Sequence, residues 1–484
     1  MRIFLSAIAG AIVAWSFYPS HWWAAIFGIA LLLTCLDSIP RSSRIKQSLA
    51  FALSLFAFHV HWVSVLGYDA WVGLVVLCAL PWLLFGMLPI DSKSKWFYFQ
   101  PAALVIVLEA IRANWPWGGF PWGLIAYSQL DGPLVALATL GGQALVSGAV
   151  VVCAVILIKL VRFRSFGALL ILLVITVSAS AVNFQTSYET IQLAAIQGNV
   201  PRIGNDLSTQ RTAVLRNHIS TTELLLSEIE FGKTTTPALI VWPESGTDID
   251  PLVPGIAASE ISRLVAKSDA PILIGATTWN SGTSATSDSG PTNSGILWTK
   301  AGPGPIYTKN HLVPFGEYVP LRGVLAKWIS RFDQIPNDFL PGEGPGVFSV
   351  DGDKIGDVIC FEVAYANHIY NTVTAGAQVM VVQTNNATFG NTTQPEQQFA
   401  ITRFRAIETQ RAFLVASTSG ISGLIQNDGT VSMRTQQFES AIVSGEAPLI
   451  NEKTFSTKHP YWVVVVSLMY LFFTTRKLWL RKAK

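Results

Sequence analysis

Charge is scarce in this chain. Asp, Glu, Lys and Arg make up only 13% of its 484 residues, half of the residues are hydrophobic, and the formal net charge is +3. No block of Lys and Arg resembles the electrostatic footprint of a nucleic-acid binder. Cysteine is scarcer still. Of four, Cys35, Cys78 and Cys153 fall in apolar stretches and cannot pair with Cys360, which excludes a disulfide framework. The seven histidines form no cluster with metal-ligand spacing, so they offer no metal site. His59 and His61 stand two apart and share no helix face; hydrogen bonding between helices is the role expected of them.

Long apolar runs take the place of charge. Seven come first, at 4–17, 22–36, 49–66, 71–90, 97–111, 134–158 and 166–184, and an eighth at 461–474 closes the chain. A bilayer takes about 20 residues per helix, so the first two runs and the last must recruit flanking residues. The first run is not read as a cleaved signal, because apolar residues continue past Ser6-Ala7-Ile8-Ala9 and a second run follows at once. Basic residues follow the even-numbered runs: Arg41, Arg44 and Lys46; Lys93 and Lys95; Lys159, Arg162 and Arg164; then Arg476, Lys477, Arg481, Lys482 and Lys484. The loops after the first, third and fifth runs carry almost none. The positive-inside rule then predicts cytoplasmic even loops, both termini inside, and the region after the seventh run outside. Glu109 and Arg112, three apart on one helix face, suit an internal ion pair and a lipid-headgroup contact equally. The aromatic loop from Trp115 to Trp122 suits the headgroup layer.

Three domains are expected: 1–189, a seven-span membrane domain; 190–457, a soluble-type catalytic domain; and 458–484, a last membrane helix with a basic tail. In 190–457, strand-like runs at 191–196, 238–241, 271–274, 295–298, 357–360, 379–383, 413–416 and 423–426 are interleaved with helical patterns at 210–229, 256–266 and 396–411. Such alternation predicts a sheet covered by helices. The Ser/Thr/Gly-rich stretch 281–294 reads as a surface loop. In 324–332, apolar Val324, Leu325, Trp328, Ile329 and Phe332 recur at helical spacing among Arg322, Lys327 and Arg331; this is either a packing helix or an arm that dips into headgroups.

The chemistry-bearing residues sit at strand ends. Cys360 follows Val358-Ile359 and precedes a turn into a helix, where backbone N–H groups would favour a thiolate. Glu244 follows the strand 238–241 in Trp242-Pro243-Glu244-Ser245. Lys309 opens the run from Tyr307 through Lys309-Asn310-His311-Leu312-Val313-Pro314-Phe315-Gly316-Glu317-Tyr318. A carboxylate that takes the thiol proton, an ammonium that stabilises charge and a thiol that attacks a carbonyl together suit acyl transfer.

In this order and with these flanks, Glu244, Lys309 and Cys360 resemble the nitrilase (carbon–nitrogen hydrolase) superfamily. With the apolar runs around them, the chain resembles the apolipoprotein N-acyltransferase family over nearly its whole length. Gly119-Phe120-Pro121-Trp122, Asp131-Gly132-Pro133, Gln197-Gly198-Asn199-Val200-Pro201, Phe315-Gly316-Glu317-Tyr318-Val319-Pro320, Cys360-Phe361-Glu362 and Arg403-Phe404-Arg405-Ala406 carry the likeness. It implies a membrane α-helical bundle of about eight spans plus an α/β nitrilase-like α-β-β-α sandwich domain on the extracytoplasmic face of a bacterial cytoplasmic membrane. It also implies a ping-pong reaction. A phospholipid donates its sn-1 acyl chain to Cys360 as a thioester, and the N-terminal amine of a diacylglyceryl-cysteine apolipoprotein accepts it. Glu244 is then the base, Lys309 the charge stabiliser and Cys360 the nucleophile. Glu317 and Glu362 orient Lys309 or assist the base, and the Phe361 N–H is an oxyanion donor. Phe361 stands where members of the family often carry Tyr, and the neighbourhoods 202–206 and 387–390 lack their frequent tryptophans. Two other readings compete: a membrane-anchored nitrilase-type amidase that hydrolyses its thioester, and a non-catalytic membrane scaffold.

Overall fold

Each apolar run folds as helix in the computed structural model, which describes residues 1–200, 207–280, 289–325 and 337–482. The chain divides into two compact units, Met1–Asn183 with Thr454–Lys484, and Phe184–Lys453.

The first unit is helical: Arg2–Trp15, Trp23–Leu36, Arg41–His59, Tyr68–Ala79, Trp82–Met87, Gln100–Asn114, Ala138–Phe163, Phe166–Ser180 and Trp462–Lys482. Two stretches among the described residues, Tyr68–Met87 and Pro133–Phe163, are long and apolar enough to cross a membrane. Arg2–Trp15, Trp23–Leu36, Leu169–Ser180 and Trp462–Thr475 are apolar but shorter. Small residues set the packing: a Cβ on Gly10 would stand 2.2 Å from the Phe51 carbonyl oxygen, so only glycine lets Arg2–Trp15 lie this close to Arg41–His59.

Polar side chains in this unit bind loops. Arg112 donates to the carbonyls of Phe120 (2.8 Å), Trp122 (2.5 Å) and Gly123 (3.2 Å), and Glu109 Oε1 accepts the Ile125 N–H at 2.8 Å. Both therefore hold the loop that follows their own helix. His59 packs on Phe17 and His61 lies edge-on to Trp71. At another corner, Asp37 accepts Ser92 N–H (2.9 Å), Ser92 Oγ–H (2.6 Å) and Arg162 (2.5 Å), and Lys159 Nζ donates to the Ser92 carbonyl at 2.6 Å. The loops after runs two and four and the end of run six thus meet at one end of the unit.

The second unit holds twelve strands among the described residues: β1 Thr190–Gln197, β2 Leu239–Val241, β3 Ile272–Asn280, β4 Gly290–Thr299, β5 Gly302–Thr308, β6 Gly346–Val350, β7 Asp353–Ile359, β8 Val379–Thr384, β9 Phe413–Ser417, β10 Gly423–Ile425, β11 Val431–Arg434 and β12 Ala441–Pro448. They form two six-stranded sheets, ordered β12-β1-β2-β3-β4-β5 and β11-β10-β9-β8-β7-β6. The period of two explains the burial. Leu193, Ala195, Leu239, Val241, Leu273 and Leu297 of the first sheet face Ile355, Ile359, Val379, Val381, Leu414 and Ala416 of the second in one core. Their neighbours Ala194, Ile196, Ile240, Trp242, Ile272 and Ile274 point the other way, onto Leu215, Ile219, Ile261 and Leu264 of the helices Leu207–Glu230 and Ile256–Lys267. The parallel pairs β1/β2, β2/β3, β7/β8 and β8/β9 need crossover connections. Those helices and their counterparts, Ala366–Thr374 and Gln394–Thr409, supply them.

The sequence reading needs correction at 281–294. Gly290–Ser294 is not loop but the first half of β4, paired antiparallel with β3 from Asn280↔Gly290 onward; ladder pairing overrides the turn-like composition. Residues 281–288, and the proposed arm from 326 on, lie outside the described residues.

Candidate active site

Three strand ends converge on one buried polar cluster. Glu244 stands just beyond β2, Lys309 just beyond β5 and Cys360 just beyond β7. Lys309 Nζ lies 3.1 Å from Glu244 Oε1 and 2.8 Å from Glu317 Oε1. Asn293, on β4, donates from Nδ2 to the same two oxygens, at 2.6 Å and 3.0 Å. Each carboxylate also has a backbone anchor: Asn385 N–H donates to Glu244 Oε2 at 2.8 Å, and Val313 N–H to Glu317 Oε2 at 2.7 Å. A buried charge needs this degree of pairing to persist.

Electrostatics follow from the arrangement. Burial alone would lower the Lys309 pKa, but Glu244 and Glu317, helped by Cys360, raise it well above the usual lysine range, so the ammonium is fixed. Two carboxylates against one ammonium leave the cluster one negative charge in excess. The half-buried Cys360 thiol is pushed up to about 12, first by desolvation and then by the Glu244 charge; Lys309 and the Thr384 hydroxyl pull the other way. The expectation of a resting thiolate therefore does not hold. The chain turns after Cys360 through a single 3₁₀ turn, Cys360–Ala364, too short to offset the loss of water. The proton therefore stays on sulfur at neutral pH, with Glu244 among the groups that favour it there. Gln398 Nε2 donates to Thr384 Oγ1 at 2.9 Å and so holds in place the hydroxyl that lowers the thiol pKa. Cys360 itself has φ +55°, a left-handed conformation costly for a non-glycine residue; it lifts the side chain off the end of β7.

Glu317 lies where the sequence put it, on Lys309. Glu362 does not reach Lys309. It is fully buried, and its Oε1 accepts the N–H groups of Asn310 (2.7 Å) and His311 (3.0 Å). Its Oε2 accepts the Ile359 N–H and the Tyr307 hydroxyl, each at 2.8 Å. Glu362 therefore binds the chain beyond Lys309 to the residue before Cys360. Phe361 is buried and edge-on to Tyr365, with ring centroids 5.3 Å apart. Asn293, Thr384 and the N–H of Asn385 went unread in the sequence. Asn293 was hidden in a stretch whose composition spells loop; Thr384-Asn385, polar residues at the end of an apolar strand, gave the same signal as Glu244.

Residues 9–156 match the family model described as the apolipoprotein N-acyltransferase N-terminal domain, and residues 210–450 that described as carbon-nitrogen hydrolase. The chain is similar to the apolipoprotein N-acyltransferase of Mycolicibacterium smegmatis, at 33% identity over 94% of this chain and 81% of the relative. It is similar to that of Pseudomonas paraeruginosa at 30% identity, over 91% and 89%. Among solved structures it is similar to an amidase from Nesterenkonia sp., at 18% identity and a TM-score of 0.39, covering 56% of this chain and 94% of that one. The glutamine-dependent NAD+ synthetase of Acinetobacter baumannii aligns at 15% identity and a TM-score of 0.38, over 53% and 45%.

Proposed function

The chain belongs to the apolipoprotein N-acyltransferase family, and from that premise we propose how its buried cluster carries out lipoprotein N-acylation. The protein is an acyltransferase whose second unit has the carbon–nitrogen hydrolase α/β fold. Cys360 attacks the sn-1 ester carbonyl of a phospholipid as its thiol proton passes to Glu244. The protonated Glu244 then returns that proton to the departing lysophospholipid oxygen, which leaves an acyl thioester on Cys360. In the second half the N-terminal amine of a diacylglyceryl-cysteine attacks the thioester, Glu244 takes the amine proton, and the thiol is restored. Lys309 and the Phe361 N–H stabilise the oxyanion in both halves. Glu317 keeps Lys309 charged, and Glu362 holds the two strand ends in register.

The observation that carries this reading is the convergence of three strand ends, which bring Cys360 to a buried Lys309 held between the Glu244 and Glu317 carboxylates. Proton transfer from Cys360 to Glu244 leaves the net charge of the site unchanged and moves the negative charge onto sulfur, where Lys309 and the Thr384 hydroxyl offset its cost. The amidase reading has less support, because residues 9–156 match an N-terminal domain particular to the acyltransferase.

The same proposal sets the protein in the bacterial cytoplasmic membrane through about eight spans, with the catalytic domain outside and both ends of this chain inside. Support comes from the basic residues of loops two, four and six and from the meeting of Asp37, Ser92, Lys159 and Arg162 at one end of the first unit. Incubation of the purified protein with phospholipid and a diacylglyceryl-cysteine peptide tests the reaction: equal amounts of lysophospholipid and N-acylated peptide are expected, and free fatty acid in their place would point to hydrolysis.

A further inference from the structure

Asp357 is fully buried three residues before Cys360, and the acyl-transfer scheme makes no use of it. Among the described residues, neither of its carboxyl oxygens has a hydrogen-bond donor from another element; the N–H of its neighbour Val358 approaches. Gln383, on β8, stands beside it. Its Nε2 donates to the Trp242 carbonyl at 2.6 Å and, more weakly, to the Leu273 carbonyl at 3.5 Å, while its Oε1 is a buried acceptor without a donor among the described residues. Two carbonyls facing Nε2 fix the amide in this orientation, since a flipped amide would set oxygen against oxygen. Asp357 Oδ2 and Gln383 Oε1 look onto the same spot over Gly295: a Cβ there would lie 2.2 Å from the first and 2.7 Å from the second. Glycine at 295 is what gives them room.

Two acceptors side by side cannot stabilise each other, and a carboxylate here would be an unpaired buried charge. The O–H of a carboxylic acid supplies the donor that the site lacks. The titratable groups that face Asp357 act in the same direction. The Glu362 carboxylate disfavours a second negative charge, and the Tyr307 hydroxyl is committed to Glu362 and His368. We propose that Asp357 stands as a neutral carboxylic acid donating to Gln383 Oε1, and that it is a positioning residue for the acyl-transfer site.

The resulting path crosses between the two sheets. Asp357 lies on the strand that ends in Cys360. Gln383 lies next to Thr384, the hydroxyl partner of the thiol, and its other end grips the carbonyl of Trp242, two residues before Glu244. One side-chain link thereby sets the spacing of nucleophile and base, a role that rests on the reading of Cys360 and Glu244 given above.

The test compares the full-length protein with Asp357→Asn, which keeps an N–H donor but cannot ionise, and with Asp357→Ala, which removes the donor. Infrared difference spectra of wild type against Asp357→Asn at neutral pH are expected to show the carbonyl stretch of a protonated, hydrogen-bonded carboxylic acid. That band is expected to shift upward in Gln383→Leu, where the acceptor is gone. Thioester formation is expected to stay close to wild type in Asp357→Asn and to fall by about 10²-fold in Asp357→Ala, with KM for phospholipid little changed. A wild-type spectrum without the band, or folded Asn and Ala variants that are equally impaired, would overturn the proposal. Should Asp357→Asn not fold, the wild-type and Gln383→Leu spectra decide alone. The infrared readout does not depend on Cys360 chemistry, so failure of this inference and failure of the acyl-transfer reading are told apart.

Discussion

The Asn293 amide lies 2.6 Å from Glu244 Oε1 and uses the same nitrogen to hold Glu317. Asn293 and Lys309 thus bridge the same pair of carboxylate oxygens, one as a neutral donor and one as a cation. Hydrogen bonds to charged groups contribute about 1.5–3 kcal/mol each. Asn293→Leu is expected to slow thioester formation by about 10- to 100-fold with KM for phospholipid unchanged. Asn293→Asp sets a third acid against the other two and is expected to lose more. Single-turnover acylation measures both; a Leu variant at wild-type rate would remove Asn293 from the account.

The state of the thiol gives a second prediction. With Cys360 pushed up to about 12, the folded protein holds a neutral thiol at pH 7, and thiolate appears only as pH rises toward that value. Alkylation by iodoacetamide is therefore expected to be slow at neutral pH and still climbing above pH 9. Glu244 is one of the groups that raises the thiol, so Glu244→Gln lowers its pKa and should move the alkylation profile to lower pH. The same variant is expected to lose about 10²–10⁴ in acyl transfer, the range for removal of a general base. A profile that stays put or moves up in Glu244→Gln would contradict the geometry.

His218 offers a test of stability. Its Nδ1 donates to the Val214 carbonyl at 2.8 Å, its Nε2 is buried without a partner among the described residues, and burial pushes its pKa from 6.5 down to about 4. A folded value below the unfolded one means the unfolded chain binds the proton more readily. This contribution is complete above pH 6.5 and is lost as pH falls toward 4, by about 3 kcal/mol in all. Thermal melts of the full-length protein in detergent should show Tm falling over this window, and a flatter fall in His218→Phe, whose ring fits against Trp242. Parallel curves would refute the assignment.

Topology is tested by reporters. An enzyme active only outside the cytoplasm is expected to work when fused after Gln185 and to be silent when fused after Lys484. The opposite pattern would invert the proposed orientation and remove the argument for a lipid donor.

The sequence made the chemistry legible at Glu244 and Cys360 because each follows a β-branched or apolar run and breaks it with a reactive group, whereas Lys309 was legible only from its flanks and its place between the other two. Their partners were harder to read. Asn293 sits in a strand of Gly, Pro, Thr, Asn and Ser that becomes a strand only by pairing with β3, a long-range fact with no local signature. β5, Gly302–Thr308, is hidden by its two prolines and two glycines and is an edge strand, where missing N–H donors cost least. The thiol's protonation state was misread because a helix start suggests a thiolate, whereas the nearest charge, Glu244, and the loss of water decide it. Glu362 was read by motif alone as orienting Lys309 or assisting the base; its four acceptor bonds to the backbone and Tyr307 appear only once β5 and β7 are brought together.

The central claim is that Cys360 carries the acyl chain between donor and acceptor. If so, the first half-reaction runs without acceptor, and a dry site lets the thioester persist. Intact-protein mass spectrometry after incubation with phospholipid alone is predicted to show one added fatty acyl mass that hydroxylamine removes. Cys360→Ala should show none, and Cys360→Ser should be severely impaired, because the hydroxyl is far harder to deprotonate. A normal adduct in Cys360→Ala would contradict the account, and a wild-type adduct that decays within seconds in water would turn it toward the hydrolase.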